Sequence, residues 1–353
     1  MKKIVIVVGA RPQFIKLLPL VEALSNKVKI VLVHTGQHYD FEMSEIFFDQ
    51  LGLPQPDFHL GVGSGTPAGQ TGAIMARFEE VIRDQKPDMV VVTGDTNSTL
   101  AGALTAAQNS IPLTHVEAGL RSQNKWLPEQ ISRVVTDRLS DILCCPTATS
   151  IGNLKSEGIS AGVYFTGDIL YDLIAKFDPS PETLSQTLAR FGFQDGQFIF
   201  MTLHRAENVD DPQFLQSLVK GLKRFPQKIF FPVHPRTQKN LERIGLFEGL
   251  SSISPVIVSK PIGIVESLAL TKSCLGVITD SGGLQREAVY FGKKVYLLRD
   301  ETEWTELAEC GAVECLGRSL DKAEIVWSKY PRPQGDYFKP AASNIAGAIL
   351  ENL

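Results

Sequence analysis

The chain has 353 residues, of which 43% are apolar and 21% are charged, and its formal net charge is −4. This composition is typical of a globular protein and excludes a disordered, fibrous or repetitive chain. The small negative charge and the lack of long basic clusters argue against a nucleic-acid partner, and no apolar stretch is long enough to span a membrane. At roughly 100 to 200 residues per domain, the length predicts two domains.

The five cysteines are odd in number and show no metal-ligand spacing. They therefore predict a reduced, cytoplasmic protein without structural zinc. The apolar run Ile4–Val8 ends at Gly9, too soon for a signal peptide, so we interpret it as a first buried strand.

Short apolar runs alternate with amphipathic segments along the whole chain, which is typical of parallel sheets covered by helices. In the first half the pattern predicts strands at 4–8, 29–34, 89–93, 113–117, 142–145 and 163–166, and helices at 12–24, 66–83 and 96–108. In the second half it predicts strands at 198–203, 228–233, 256–259, 275–279, 294–298 and 312–316.

A segment with two prolines, Phe177–Pro181, interrupts the pattern and predicts a hinge. The predicted fold class is α/β, with two doubly wound Rossmann-like domains facing each other across a cleft. Residues 1–177, joined by a C-terminal helix at 341–353, form the first domain, and residues 182–340 form the second.

Ligands of parallel sheets bind beyond the carboxyl ends of the strands, so polar residues that follow apolar runs are candidates. Asp95 and Glu117 follow neighbouring runs and can serve as an acid and a base, although Asp95 can equally cap a helix at Asn97. Glu117 lies among apolar residues, where burial is expected to raise its pKa. Arg11 and Lys16 can balance the charge of an anion, or each can be a solvated surface cation.

The turn at Thr279–Gly283 opens a helix that runs through Glu287, and its small residues allow backbone N–H groups to approach a diphosphate. Ser281 as an ordinary N-cap is an equal alternative. Three histidines, His115, His204 and His234, stand at strand ends, but none has metal-ligand spacing.

Several common enzyme classes are excluded. The glycine-rich stretch 61–67 follows no strong strand and does not predict a nicotinamide site. The sequence also lacks the GxSxG, GxxxxGK and HExxH motifs of common hydrolases, nucleotide triphosphatases and zinc proteases.

Taken together, the motifs resemble the non-hydrolysing UDP-N-acetylglucosamine 2-epimerases, which have a glycosyltransferase-B-like fold. Eight segments in the family's order carry the resemblance nearly from end to end: Gly9–Lys16, Thr35–His38, Gly94–Thr96, His115–Arg121, Pro128–Arg133, His204–Asn208, Thr279–Glu287 and Arg299–Glu303.

The resemblance implies inversion at C2 of a UDP-linked N-acetyl sugar without a cofactor, by elimination of UDP to a 2-acetamidoglucal and re-addition. It implies catalytic roles for Asp95, Glu117, Glu129 and His204. It also implies substrate contacts for eight further residues: Arg11, Lys16, Arg133, His234, Ser281, Gly282, Gly283 and Glu287. A homodimer is expected from the family and from the general frequency of two-fold assemblies.

The chain departs from the family's commoner pattern at several positions. Gln13 and Gln130 replace glutamates, Trp304-Thr305 replaces Arg-Pro, and 39–44 differ in a stretch that helps to form an allosteric site in some members. The same variants resemble the branch that epimerises UDP-2,3-diacetamido-2,3-dideoxyglucuronate. Two alternatives stay open, a UDP-sugar glycosyltransferase of the same fold and a non-catalytic nucleotide-sugar sensor, but the three carboxylates favour the epimerase.

Overall fold

A computed structural model describes residues 1–9, 11–37, 54–328, 330 and 338–353, without the side chains of Arg11, Pro12 and Ser251. The chain divides into two compact units, which are described separately. The first comprises Met1–Leu173 and the C-terminal segment, and the second begins at Ile174.

The first unit is built on a seven-stranded sheet in the order β3-β2-β1-β4-β5-β6-β7, in which every pair is parallel. Its strands are β1 (Lys3–Val8), β2 (Lys29–His34), β3 (Phe58–His59), β4 (Met89–Thr93), β5 (Leu113–Val116), β6 (Ile142–Cys145) and β7 (Val163–Phe165). Its helices are α1 (Arg11–Leu24), α2 (Pro67–Gln85), α3 (Asn97–Gln108), α4 (Pro128–Leu139), α5 (Ala148–Ser156) and α15 (Ala342–Glu351), and α6 (Ile169–Lys176) begins in this unit and ends in the second.

The second unit is built on a six-stranded parallel sheet in the order β10-β9-β8-β11-β12-β13. Its strands are β8 (Phe198–Thr202), β9 (Lys228–Pro232), β10 (Val256–Ser259), β11 (Gly276–Thr279), β12 (Val295–Leu297) and β13 (Val313–Cys315). Its helices are α7 (Pro181–Phe191), α8 (Ala206–Val209), α9 (Pro212–Leu222), α10 (Pro235–Arg243), α11 (Phe247–Ser251), α12 (Ile264–Ser273), α13 (Gly282–Tyr290) and α14 (Thr305–Glu309).

The central strands are buried on both faces, as their unbroken apolar runs predict. All five residues of β4 are buried, and small residues in α3 let that helix lie close to the strand. A Cβ added at Gly102 would come within 2.9 Å of a methyl group of Val92, so a larger residue would push α3 away from the sheet.

Both sheets confirm the prediction of two doubly wound α/β units, and each has one point where the strand order reverses. These points lie between β1 and β4 and between β8 and β11. Open α/β sheets bind ligands at such points, beyond the carboxyl ends of the strands. Short β3 was not predicted because its two residues, Phe58 and His59, form no apolar run.

The C-terminal helix α15 belongs to the first unit. Its N-terminus is bound by Asp172, whose carboxylate accepts from the backbone N–H of Ala341 at 2.6 Å and of Ala342 at 3.3 Å. The segment predicted as a hinge, Phe177–Pro181, joins α6 to α7, and its role as a hinge stays a prediction.

Candidate active site

Two carboxylates of the first unit follow the neighbouring strands β4 and β5, whose register pairs Thr93 with Val116. The chain turns sharply after each strand. Gly94 has a φ of +66° and Glu117 a φ of +69°, both in the left-handed region. Such a conformation costs a residue with a side chain about 1–3 kcal/mol and is concentrated at functional sites. The strained backbone of Glu117 therefore supports a functional role for this carboxylate.

Glu117 is 8% exposed, and Lys16 of helix α1 forms an ion pair with it at 3.3 Å. The structure thus places Lys16 beside a carboxylate and not in open solvent. The chain also passes close to helix α3 directly after β1. A Cβ on Gly9 would lie 1.8 Å from the Ser98 hydroxyl oxygen, so only glycine fits there.

Asp95 is bound by Arg133 of helix α4, which also donates to the Ser122 hydroxyl at 3.1 Å. The alternative in which Asp95 caps helix α3 is wrong, because the cap is Thr96, whose hydroxyl accepts from the backbone N–H of Thr99 at 3.3 Å. Asp95 is thereby left to its ion pair with the arginine.

Glu129 lies in the first turn of α4, one residue after the helix begins at Pro128. Its neighbour Gln130 is buried and accepts from the backbone N–H of Ser122 at 2.8 Å. Gln13 also has a structural task, since its amide nitrogen donates to the Thr93 carbonyl oxygen at 2.7 Å. An ionised glutamate could not donate that hydrogen bond.

In the second unit, His204 follows β8. Its ring and backbone contact Asp280, which was not among the predicted site residues. The ring Nδ1 of His204 lies 3.2 Å from Asp280, which is fully buried, while the His204 side chain is 43% exposed. Asp280 also accepts from the backbone N–H groups of His204 at 3.1 Å and Arg205 at 2.8 Å, and from the Asn208 amide at 3.2 Å. The carboxylate therefore orients the ring through Nδ1.

The charge state of Asp280 follows from these contacts. Burial opposes ionisation, but hydrogen bonding and the charge interaction with His204, together with the backbone donors, outweigh it. The pKa of the Asp280 carboxyl is consequently lowered from its ordinary value.

His234 caps helix α10, and its Nδ1 accepts from the backbone N–H of Arg236 at 3.2 Å. A neutral His234 must then carry its proton on Nε2. The ring centroids of His204 and His234 are 5.9 Å apart, so the second unit brings these two predicted residues together.

Ser281 is the N-cap of α13, with its hydroxyl accepting from the backbone N–H of Leu284 at 3.2 Å. The capping interpretation is therefore correct, and it is compatible with anion binding because Gly282 and Gly283 form the first turn of the helix. A Cβ on Gly283 would lie 3.9 Å from a carboxylate oxygen of Glu287, which places Glu287 beside this turn.

The turn at Thr279–Gly283 packs against the segment that follows β12. A Cβ on Gly282 would lie 3.1 Å from Glu303, which forms a buried ion pair of 2.8 Å with Arg299. Trp304, one of the departures from the family's pattern, is buried, and the guanidinium of Arg286 stacks on its ring at 4.1 Å. The substitution at 304 therefore fills the interior beside α13.

Some predicted residues cannot be placed. The side chain of Arg11, and His38 with 39–44, lie outside the described residues. Within the described part of the chain, His, Cys, Asp and Glu side chains form no group of three that could hold a metal ion. Among the described residues, no helix is both long enough and apolar enough to cross a membrane.

Comparison with known proteins places these features in a family. The family model described as UDP-N-acetylglucosamine 2-epimerase matches residues 22–328. A UDP-2,3-diacetamido-2,3-dideoxy-D-glucuronate 2-epimerase of Pseudomonas aeruginosa is 45% identical over 330 residues, 90% of this chain and 89% of that protein. A UDP-N-acetylglucosamine 2-epimerase homolog of Methanococcus maripaludis is 42% identical over 353 residues, 99% of both chains.

The fold agrees with this result. The crystal structure of Methanocaldococcus jannaschii UDP-GlcNAc 2-epimerase in complex with UDP-GlcNAc and UDP matches with a TM-score of 0.89 and 36% identity, over 99% of each chain. The resemblance read from the eight sequence segments is confirmed over nearly the whole length. The chain therefore belongs to the UDP-N-acetylglucosamine 2-epimerase family.

Proposed function

We propose that this protein inverts C2 of a UDP-linked 2-acetamido sugar, with its second unit holding UDP and the carboxylates of its first unit moving the proton. The observation that carries the proposal is the placement of Asp95 and Glu117 after adjacent strands, each held by a cation. Inversion at a carbon that bears hydrogen, when it proceeds by deprotonation, requires proton removal from one face and proton return to the other. Two or more carboxylates around one position meet that requirement.

The proposed reaction is redox-neutral, because its electron pairs balance without an oxidant. A carboxylate takes the C2 proton, the C2–H electron pair becomes the C1–C2 double bond, and the C1–O pair leaves with UDP. UDP then adds back to C1 of the 2-acetamidoglucal while C2 is protonated on the opposite face. Asp95, Glu117 and Glu129 form the proposed set of proton carriers.

The second unit supplies the proposed binding of the leaving group. Backbone N–H groups in the first turn of α13, at Gly282 and Gly283, form the positive end of the helix dipole and suit a diphosphate. Glu287 suits the ribose hydroxyls. His204, fixed by Asp280 and neighboured by His234, is a proposed donor to the departing UDP oxygen.

Two sugars represent the proposed substrate class: UDP-N-acetylglucosamine and UDP-2,3-diacetamido-2,3-dideoxyglucuronate. Relatives named for epimerising each of them are 40% and 45% identical to this chain. Gln13 and Gln130 replace charged residues of the commoner members with neutral, hydrogen-bonded amides. Two fewer negative charges favour a substrate that itself carries a carboxylate.

The experiment incubates the purified protein with each sugar and follows the anomeric proton signals and free UDP by NMR. Appearance of the C2 epimer supports the proposal and names the substrate. Release of UDP only when a sugar acceptor is added would support a glycosyltransferase instead. Binding of UDP without any turnover would support a sensor, and either result would overturn the epimerase proposal.

Location and assembly complete the proposal. All five cysteines are free thiols, which suits the reducing cytoplasm, and a two-fold dimer is the commonest assembly of soluble proteins. Cell fractionation tests the first part, and light scattering coupled to size-exclusion chromatography tests the second.

A further inference from the structure

His115 is the last residue but one of β5, and hydrogen bonds hold its ring at both nitrogens. The side chain is fully buried. Nδ1 lies 2.6 Å from Oδ1 of Asp137, and Nε2 lies 2.8 Å from the carbonyl oxygen of Gly94. A carbonyl oxygen only accepts, so Nε2 must donate.

Asp137 determines the role of the other nitrogen. Its Oδ2 accepts from the backbone N–H of Gly119 at 3.1 Å and from Arg121 at 2.7 Å, as an ionised carboxylate does. Burial opposes that ionisation, but the charges and hydrogen bonds of His115 and Arg121 outweigh it and lower the pKa of Asp137. Oδ1 of the same carboxylate lies 2.6 Å from Nδ1, so the His115 ring is held at both nitrogens.

Arg121 extends the contacts of this pair. It binds Asp137 and also binds Glu157 at 2.7 Å, so four side chains form one network. Cys145 also lies near Asp137 and Arg121, and burial raises the pKa of its thiol to about 12, which keeps it neutral. The His115–Asp137 pair is therefore part of a larger set of polar contacts.

The bonds of this ring and its carboxylate join three segments. Gly94 immediately precedes Asp95, Gly119 follows Glu117 by two residues, and Asp137 lies in α4, whose first turn carries Glu129. Each of the three proposed proton carriers is therefore on a segment tied to the His115–Asp137 pair.

One of these segments, 117–119, needs an external hold, because its backbone is in the left-handed region. Glu117 has a φ of +69° and Gly119 a φ of +78°. A Cβ on Gly119 would meet the Ser150 carbonyl oxygen at 2.3 Å, so the loop is pressed against α5. Strained conformations of this kind persist only when surrounding contacts fix them.

We propose that His115 and Asp137 are positioning residues for the reaction: the buried ring and its carboxylate partner hold Asp95, Glu117 and Glu129 in one geometry. The inference rests on the proposed function, since it assigns the three carboxylates the task described above. Neither residue contacts the substrate in this assignment, and both act through backbone and helix placement.

The test uses His115→Gln and Asp137→Asn in the full chain, with Asp141→Asn as the matched control. Asp141 also accepts from a backbone N–H of β5, that of Leu113 at 2.8 Å, but at the opposite end of the strand. A misplacement of about 1 Å can cost about 10²-fold in rate, so kcat should fall by about 10²-fold in the first two variants. The Kd of UDP, measured by calorimetry, should stay at the wild-type value in all three, and the control should keep wild-type kcat.

A second readout is independent of turnover. Long-range proton–nitrogen NMR of nitrogen-15-labelled histidines, with His115 assigned from the His115→Gln spectrum, should show a proton on Nε2, the nitrogen that donates to the Gly94 carbonyl oxygen. The Asp137→Asn variant should shift the His115 signals, because Nδ1 loses its carboxylate partner. If both site variants fail to fold by circular dichroism, Arg121→Gln decides, because it removes a partner of Asp137 that is 13% exposed. A lower kcat with unchanged UDP affinity supports positioning.

Three results would count against the inference. A wild-type His115 without a proton on Nε2, a folded site variant with kcat within about threefold of wild type, or an Asp141→Asn loss equal to that of Asp137→Asn would each overturn it alone. A wild-type protein that turns over neither sugar would overturn the proposed function first, and the inference with it.

Discussion

Replacing Asp280 by asparagine tests whether this buried carboxylate holds the His204 segment. Its Oδ2 accepts from the Arg205 N–H at 2.8 Å and the Asn208 amide at 3.2 Å, and its Oδ1 lies 3.2 Å from the His204 ring. Asparagine keeps one oxygen and presents an amide to the remaining donors. Hydrogen bonds to charged groups contribute about 1.5–3 kcal/mol each, so we expect the free energy of unfolding to fall by about 2–4 kcal/mol.

Urea denaturation followed by tryptophan fluorescence measures this loss. Two of the three tryptophans, Trp304 and Trp327, belong to the second unit, so the signal reports mainly on it. Asp211→Asn is the matched control in the same unit. Asp211 caps α9, and asparagine caps a helix as well as aspartate does, so stability should hardly change. A loss below about 1 kcal/mol for Asp280→Asn would refute the reasoning.

The pH dependence of the same loss has a definite sign. The pKa of Asp280 is lowered in the folded state, so its contribution is present above the ordinary value of 3.8 and is lost as the pH falls through the folded value. The difference between wild type and Asp280→Asn should therefore be constant near neutral pH and shrink below about pH 4. A difference that grows on acidification would contradict this assignment.

Three further predictions follow from single contacts. Glu117→Gln keeps the side-chain shape but removes the charge, so turnover measured by NMR should fall by about 10²–10⁴-fold with UDP affinity unchanged, and near-normal turnover would exclude its role. Ser281→Ala removes the cap of α13 and should cost about 1 kcal/mol in urea unfolding, with weaker UDP binding in calorimetry; wild-type values in both would contradict this. Gly119→Ala directs a methyl group at the Ser150 oxygen, whereas Gly158, at the same φ of +78°, has nothing within 4 Å. Thermal unfolding should therefore show a larger loss for Gly119→Ala than the roughly 1–2 kcal/mol expected for Gly158→Ala.

The sequence predicted much of the fold because the central strands are apolar on both faces. Turns carried further information. Thr66 and Thr96 were predicted to begin helices, and both are N-caps whose hydroxyls accept a backbone N–H of the first turn. The preference for small polar residues at the N-cap also identified Ser281 correctly. The same preference allowed Asp95 as a cap of α3, but the cap in the structure is Thr96.

The buried polar residues that hold the candidate site residues in place were harder to predict. Helix α4 buries polar residues, among them Arg133 and Asp137, while Ile131 is 42% exposed. Hydrophobic periodicity assumes that the apolar face of a helix points inward, and α4 does the reverse. Asp280 was not predicted as a site residue, because the anion-binding turn was assigned to its neighbours Ser281 and Gly282. Its contact with His204 joins residues 76 positions apart, which no local sequence pattern reveals.

A proton that leaves and returns at C2 of the UDP-linked sugar should exchange with solvent. Deuterium incorporation at C2 during turnover in D2O, followed by NMR for each of the two sugars, measures this exchange, with Glu117→Gln and Asp141→Asn beside the wild type. We expect deuterium at C2 in the epimer formed by the wild type and by Asp141→Asn, and little in Glu117→Gln. Epimer that retains the original C2 hydrogen would contradict it, because inversion would then proceed without exchange of that proton.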